Sequence, residues 1–229
     1  MDGAEKTYRI DRSLLLGELP LLAILLADLA FGLWALPRLP ERVPVHWNAA
    51  GEADAFGASW PHAVLPPLVG LTLWTVVLLL PLVDPLRRNY ARFPGTLKLV
   101  RWLLPLMCVA VHMTVTLSGL GLPVDDGATV RAIVAVFFVV FGNSMAKLRH
   151  NWFVGIRTPW TIASEEVWTR THRLAAPIWV TGGLVQLVGA LLPGGVGEVL
   201  FPATLAAMVV VPIGYSLLLF RTLNPGGSA

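Results

Sequence analysis

The chain has 229 residues, 55% of them hydrophobic and 14% charged, whereas a soluble domain carries about 25% charged residues. With a mean hydropathy of +0.69, this composition excludes an ordinary soluble globular domain and leaves room for roughly six membrane spans of about 20 residues each. The formal charge is a modest +3, and the single cysteine, Cys108, excludes a disulfide framework or a cysteine-based zinc site.

Residues 1–13 are short, polar and mixed in charge. The apolar run that follows, about Leu14 to Leu36, is longer than a signal-peptide core and is expected to be an uncleaved first span with Asp28 near mid-depth. Residues 37–62 hold Pro37, Pro40, Pro44 and Pro61, which rule out a long helix and predict a compact loop. The second span is predicted at about Ala63 to Val83. A basic, Pro/Gly-broken connector with a short interfacial helix follows over 84–100. The third span is predicted at about Arg101 to Leu122, with His112 near its middle. A tight acidic turn (123–129) precedes a short fourth span, about Val130 to Met145, from which Arg131 is expected to snorkel to an interface.

Residues 142–173 are the most polar and most informative stretch of the chain. Ser164 followed by Glu165 and Glu166 reads as a helix start, with a hydroxyl N-cap and acids opposing the helix dipole. Helical spacing then puts Glu165, Trp168 or Thr169, and His172 on one face, and Pro177 is expected to break or kink the helix. A fifth span from about Ala176 to Leu192 contains Gln186. A turn over 193–198, a sixth span from about Val199 to Phe220 and a disordered tail complete the chain. The predicted fold is therefore an all-α polytopic bundle of six transmembrane helices. All but three of the 17 basic residues fall on one side, the exceptions being Arg38, Arg42 and Arg131. The positive-inside rule then places both termini and the 143–173 loop in the cytoplasm, and the His46 loop outside. These basic residues need no nucleic acid to explain them.

Three constellations are candidates for function. In the cytoplasmic loop, Asn143, Asn151, Gly155, Arg157, Thr158, Pro159, Trp160, Glu165, Trp168 and His172 form either a polar pocket for a ligand or partner, or a structural clasp. In the clasp, Arg157 pairs with Glu165 or Glu166 and the tryptophans anchor the interface. In the outer loop, His46, Trp47, Asn48 and Gly51 lie close to Glu52, Asp54 and His62. This loop is either a compact pinned turn, a face that meets a partner from outside, or a metal site, although its histidines lack metal-ligand spacing. Within the spans, Asp28, His112 and Gln186 are costly in a bilayer and so draw attention. Asp28 and His112, at similar depth, form either a helix-packing pair or a proton-handling one, and Gln186 is expected to bond across helices. The chain lacks a P-loop, a G-x-S-x-G elbow and an H-E-x-x-H helix, so no catalytic residue, metal or cofactor is expected, and the expected class is not an enzyme.

Gly142, Asn143, Asn151, Gly155, Arg157, Thr158, Pro159, Trp160 and Thr161, then Glu165, Glu166, Trp168, Thr171, His172 and Arg173, resemble the signature of the SdpI family. Pro40, Pro44, His46, Trp47, Asn48, Gly51 and Asp54 resemble the DUF1648 motif that commonly precedes it. The resemblance implies a DUF1648-like half over 1–122 and an SdpI-like half over 123–229. It also implies a multi-pass protein of the bacterial plasma membrane that gives immunity to a secreted peptide toxin. A further implication is that such a protein signals by sequestering a cytoplasmic repressor. A small-solute or proton-coupled transporter and a metal-dependent membrane enzyme are the alternatives.

Overall fold

A computed structural model describes residues 7–192 and 196–224, apart from the side chain of residue 198. The N-terminal Lys6, part of the turn over 193–198 and the tail beyond 224 lie outside the described residues. The described residues form seven α-helices and one two-stranded sheet: α1 (Arg12–Ala35), β1 (Arg42–Trp47), β2 (Ala53–Ala58), α2 (Ser59–Val83), α3 (Pro94–Gly119), α4 (Asp126–Met145), α5 (Pro159–Ala163), α6 (Glu165–Leu191) and α7 (Val196–Leu223). Six of these helices, all but the short α5, are long and apolar enough to cross a membrane. A bilayer interior offers no water to the peptide groups, so only a helix, which satisfies them within its own segment, is suitable for such runs.

Side chains at their N-termini settle where three of the spanning helices begin. Asp11 caps α1 by accepting from the Leu14 N–H, Asp125 caps α4 through Ala128, and Ser164 caps α6 through Val167. Prolines sit inside every spanning helix except α4. Of the two outcomes expected at Pro177, a break does not occur: α6 runs unbroken for 27 residues from the signature loop to Leu191. Neighbouring helices and a medium without competing water make such prolines tolerable.

The helices pack in two groups. Helices α1, α2 and α3 contact one another, α4 packs along α6, and α6 packs along α7, while α3 against α4 joins the groups. The α4–α6 contact is close because Gly142 and Gly183 line it. A Cβ on Gly142 would stand 2.7 Å from that of Trp179, and one on Gly183 would stand 2.8 Å from the Ala135 carbonyl oxygen. Gly182 admits the Met208 side chain of α7 in the same way.

The loop between α1 and α2 contains structure that the sequence does not predict. Strands β1 and β2 pair antiparallel as a hairpin, with irregular register on either side of His46. Asn48 closes the turn: its Oδ1 accepts the Glu52 N–H at 3.0 Å, and Gly51 takes a φ of 85° that a side chain would resist. The hairpin tip docks on the bundle, where the Arg131 guanidinium lies against Gly51 and Gly197 and its Nε donates to the Gly127 carbonyl at 3.3 Å. Pro44 removes a donor from β1, which a two-stranded edge accepts.

Candidate functional site

The loop between α4 and α6 folds around Asn151, which is fully buried. Its Oδ1 accepts from the N–H groups of Phe153 (2.9 Å) and Val154 (2.7 Å), and its Nδ2 donates to the carbonyls of Arg149 (2.8 Å) and Val154 (2.9 Å). One side chain thus satisfies the peptide groups of a whole turn. The connector between α2 and α3 is fastened to this turn. Asp84, also buried, accepts the Trp152 N–H at 2.9 Å and the Tyr90 hydroxyl at 2.7 Å, and that hydroxyl lies 3.2 Å from Asn151 Oδ1. Burial first, and then the Asp84 carboxylate, push the Tyr90 phenol above its ordinary value, so it remains a donor. Asn89 adds a bond from its Nδ2 to the His150 carbonyl at 2.8 Å.

Trp168 and His172, one turn apart on α6, form the wall behind the loop. Both are fully buried, with ring centroids 4.1 Å apart and planes 25° from parallel. His172 Nδ1 lies 2.8 Å from the Trp168 carbonyl, and its Nε2 accepts the Ile156 N–H at 2.9 Å. A carbonyl only accepts and an N–H only donates, so these partners select the neutral ring with its proton on Nδ1. Trp168 donates its indole N–H to the Leu148 carbonyl at 3.1 Å. Gly155, at φ 125°, lies against both rings, and a Cβ there would come 3.1 Å from Trp168. Gly155→Ala combines backbone strain with overpacking and is expected to destabilise the loop by about 2–4 kcal/mol. Limited proteolysis between α4 and α6 would detect it, and a wild-type digestion pattern would refute it.

Thr158 and Thr161 form a reciprocal capping box at the start of α5, behind Pro159 at its first position. Trp160 donates from α5 to the Ser216 hydroxyl of α7. Much of the signature is therefore interior. Asn151, Thr158, Thr161, Trp168, Thr171 and His172 are buried, and Asn143, Trp152, Arg157, Pro159 and Glu165 face outward. Two parts of the clasp reading are corrected. Arg157 reaches neither glutamate; its nearest polar contact is the Trp152 carbonyl at 3.5 Å, while Glu165 meets Arg92 at 3.5 Å and Glu166 meets Arg170 at 2.6 Å. Trp168 does not anchor an interface but fills the core.

At the hairpin, His46 Nδ1 and Asp54 Oδ1 lie 2.5 Å apart in an exposed pair, and Trp47 is half-buried. His62 is not part of this loop's surface. It begins α2, buried, 3.0 Å from the Thr116 hydroxyl and with its ring 5.0 Å from that of His112. No group of three or more metal-ligating side chains occurs among the described residues.

Inside the bundle, His112 Nδ1 and Asp28 Oδ1 meet at 2.8 Å, both buried, as their matching depth predicts. Gln186 donates to the Thr204 hydroxyl at 2.9 Å, across from α6 to α7. A buried ion pair lies elsewhere in the bundle, and the sequence does not announce it. Glu18 of α1 accepts from Arg101 Nη2 at 2.6 Å and from the indole N–H groups of Trp102 (2.9 Å) and Trp74 (3.1 Å). Arg101, read from the sequence as an edge residue of a basic loop, is only 3% exposed. The overlooked signal is an acid one turn and a half into the first apolar run with a base at the same end of the third.

Residues 147–216, which span the loop, α5, α6 and most of α7, match the model of the SdpI/YfhL protein family. Residues 23–71, which carry most of α1, the hairpin and the start of α2, match a domain of unknown function, DUF1648. The chain is therefore similar to SdpI-family proteins in one half and to DUF1648 in the other. It is 26% identical over 157 residues to the immunity protein SdpI of Bacillus subtilis (strain 168), covering 68% of this chain and 72% of that one. No solved structure matches it. Six apolar helices together with this likeness make it a multi-pass bacterial membrane protein.

Proposed function

We propose that this SdpI-like chain is an immunity protein that shields its host cell from a secreted peptide toxin, and that it is not an enzyme. The similarity to SdpI along two thirds of the chain carries this reading, and most of the signature loop lies within residues 147–216, which match the SdpI/YfhL family model. The distribution of basic residues supports placing both termini and the signature loop in the cytoplasm. The hairpin with His46, Trp47, Asn48 and Gly51 is then the outer face, which meets the toxin. The two halves, 1–122 and 123–229, divide the work: the first receives the toxin, and the second presents an inner surface. On that surface Asn143, Arg157, Pro159 and Glu165 are the exposed residues on which a cytoplasmic repressor would dock. Asn151, Gly155, Thr158, Trp160, Trp168 and His172 hold that surface in shape. Coupling between the faces requires two states that the toxin binds unequally. Asp28, His112 and Gln186, between the faces, are the buried polar groups best placed to differ between such states.

The test is survival. A toxin-sensitive host expressing this chain is challenged with secreted peptide toxin, beside His46→Ala and Arg157→Ala variants matched for membrane level. Wild-type protection with loss in His46→Ala is the expected outcome. The outer site falls if His46→Ala protects fully, and the inner surface has no part in protection if Arg157→Ala does. Lack of protection by the wild-type chain, correctly inserted, would overturn the immunity reading. Proton-coupled transport is the second reading, favoured by the buried Asp28–His112 pair, in which Asp28 Oδ2 and His112 Nε2 have no partner. Uptake or export abolished by Asp28→Asn would select it.

A further inference from the structure

We propose that a groove between the start of α3 and the end of α4 binds the headgroup of an anionic phospholipid. The groove measures about 510 Å3 and opens at the end of the bundle that carries the signature loop. Arg92, Lys147 and Arg149 line it together with Thr96 and Asn143, and no carboxylate does. Arg149 Nε is buried there and has no hydrogen-bond partner. The Arg149 main chain is fixed, since its carbonyl accepts from Asn151 at 2.8 Å, which tethers this side chain beside the groove.

The helix end beside it adds donors of the same sign. Phe93 stands at the N-cap of α3 and supplies no side-chain acceptor, and Pro94 has no N–H, so Gly95 and Thr96 lead the helix uncapped. A Cβ on Gly95 would meet nothing within 4 Å, which leaves this end open to a ligand. At the facing end of α4, the carbonyls of Ser144 and Met145 accept the N–H groups of Lys147 and Leu148. Glu165 touches Arg92 only from the neighbouring groove, at 3.5 Å with both side chains more than half exposed, a contact that screens little. Cationic forks and free helix N–H groups together suit a phosphate.

A lipid is the source the surroundings favour. The groove lies at the ends of two spanning helices, where headgroups reside. Its lining includes Leu99, one turn into α3, which a soluble ion would not use and an acyl chain would. Lys98 stands over the Trp102 ring at 4.8 Å, the pairing of basic and aromatic anchors found at membrane interfaces.

The experiment uses the full chain in neutral detergent, titrated separately with dioctanoyl phosphatidylglycerol, dioctanoyl phosphatidylcholine and inorganic phosphate. Binding is followed by thermal stability and by lipid retention in native mass spectrometry. Phosphatidylglycerol is expected to bind about tenfold more tightly than phosphatidylcholine, whose choline brings a cation toward three others. Lys147→Gln with Arg149→Gln is expected to abolish that preference. Arg173→Gln with Arg221→Gln, which removes the same charge at the same end outside the groove, is expected to keep it. Asn143→Asp, at an exposed position, is expected to weaken it without truncating a buried group, and it decides the matter if the double variant does not fold. Equal binding of the two lipids, or equal loss in both double variants, would overturn the site. Saturation by inorganic phosphate at the concentrations that suffice for phosphatidylglycerol would overturn the lipid assignment.

Discussion

Glu18→Gln is expected to cost about 3–5 kcal/mol of folding free energy, because it strands a buried guanidinium. Glu18 is 2% exposed and is the acceptor for Arg101 and for two tryptophan N–H groups. The amide still offers an oxygen to one indole, but Arg101 keeps its charge, since a guanidinium does not deprotonate in a protein. Arg101 Nε has no partner even in the native protein, so nothing nearby takes over. Arg101→Met should be milder. It leaves the Glu18 carboxyl with two indole donors and the option of taking up a proton. The combined Glu18→Leu and Arg101→Met protein removes both charges and should recover most of the loss, short of the two orphaned indoles. Reversible unfolding in mixed detergent micelles, analysed as a double-mutant cycle, measures this coupling. Additive losses would mean that the pair does not act as a unit.

Asn151→Ala is expected to cost at least about 3 kcal/mol, and to do so locally. The N–H groups of Phe153 and Val154 and the carbonyls of Arg149 and Val154 all lose their partner, and buried unsatisfied groups cost about 1–3 kcal/mol each. The spanning helices do not depend on this residue, so the bundle should stay helical while the segment from Leu148 to Thr158 becomes accessible to protease. Asn151→Asp should fare little better: it keeps the acceptor but points a carboxylate oxygen at two carbonyls. An unchanged digestion rate in either variant would remove Asn151 from the centre of the loop.

The six spans were legible in the sequence because hydropathy reports directly on transfer into lipid. The Asp28–His112 pair was legible because two ionisable groups at matched depth have few alternatives to each other. The hairpin was not. Pro44 in β1 argues against a strand, and the exposed β1 side chains give no clean alternation. The Glu18 cluster was missed because Arg101 also fits a basic loop edge, and only the extension of α3 back to Pro94 places it inside the bundle. In the signature loop the residue types pointed to a polar site. Their division into an inner scaffold and an outer surface depends on long-range bonds, such as Asn151 to Tyr90, that periodicity does not encode.

The bonds between the α2–α3 connector and the signature loop also set an order of assembly. Asp84, Asn89 and Tyr90 find their partners in residues made 61 to 68 positions later. On the ribosome, the first three helices therefore enter the bilayer before the groups that complete the α2–α3 connector exist. A nascent chain arrested before residue 150 should have its connector open to protease. The same connector becomes protected only after the turn around Asn151 has been synthesised and released. The signature loop thus acts as a late fastener that commits the earlier half of the bundle to its final form.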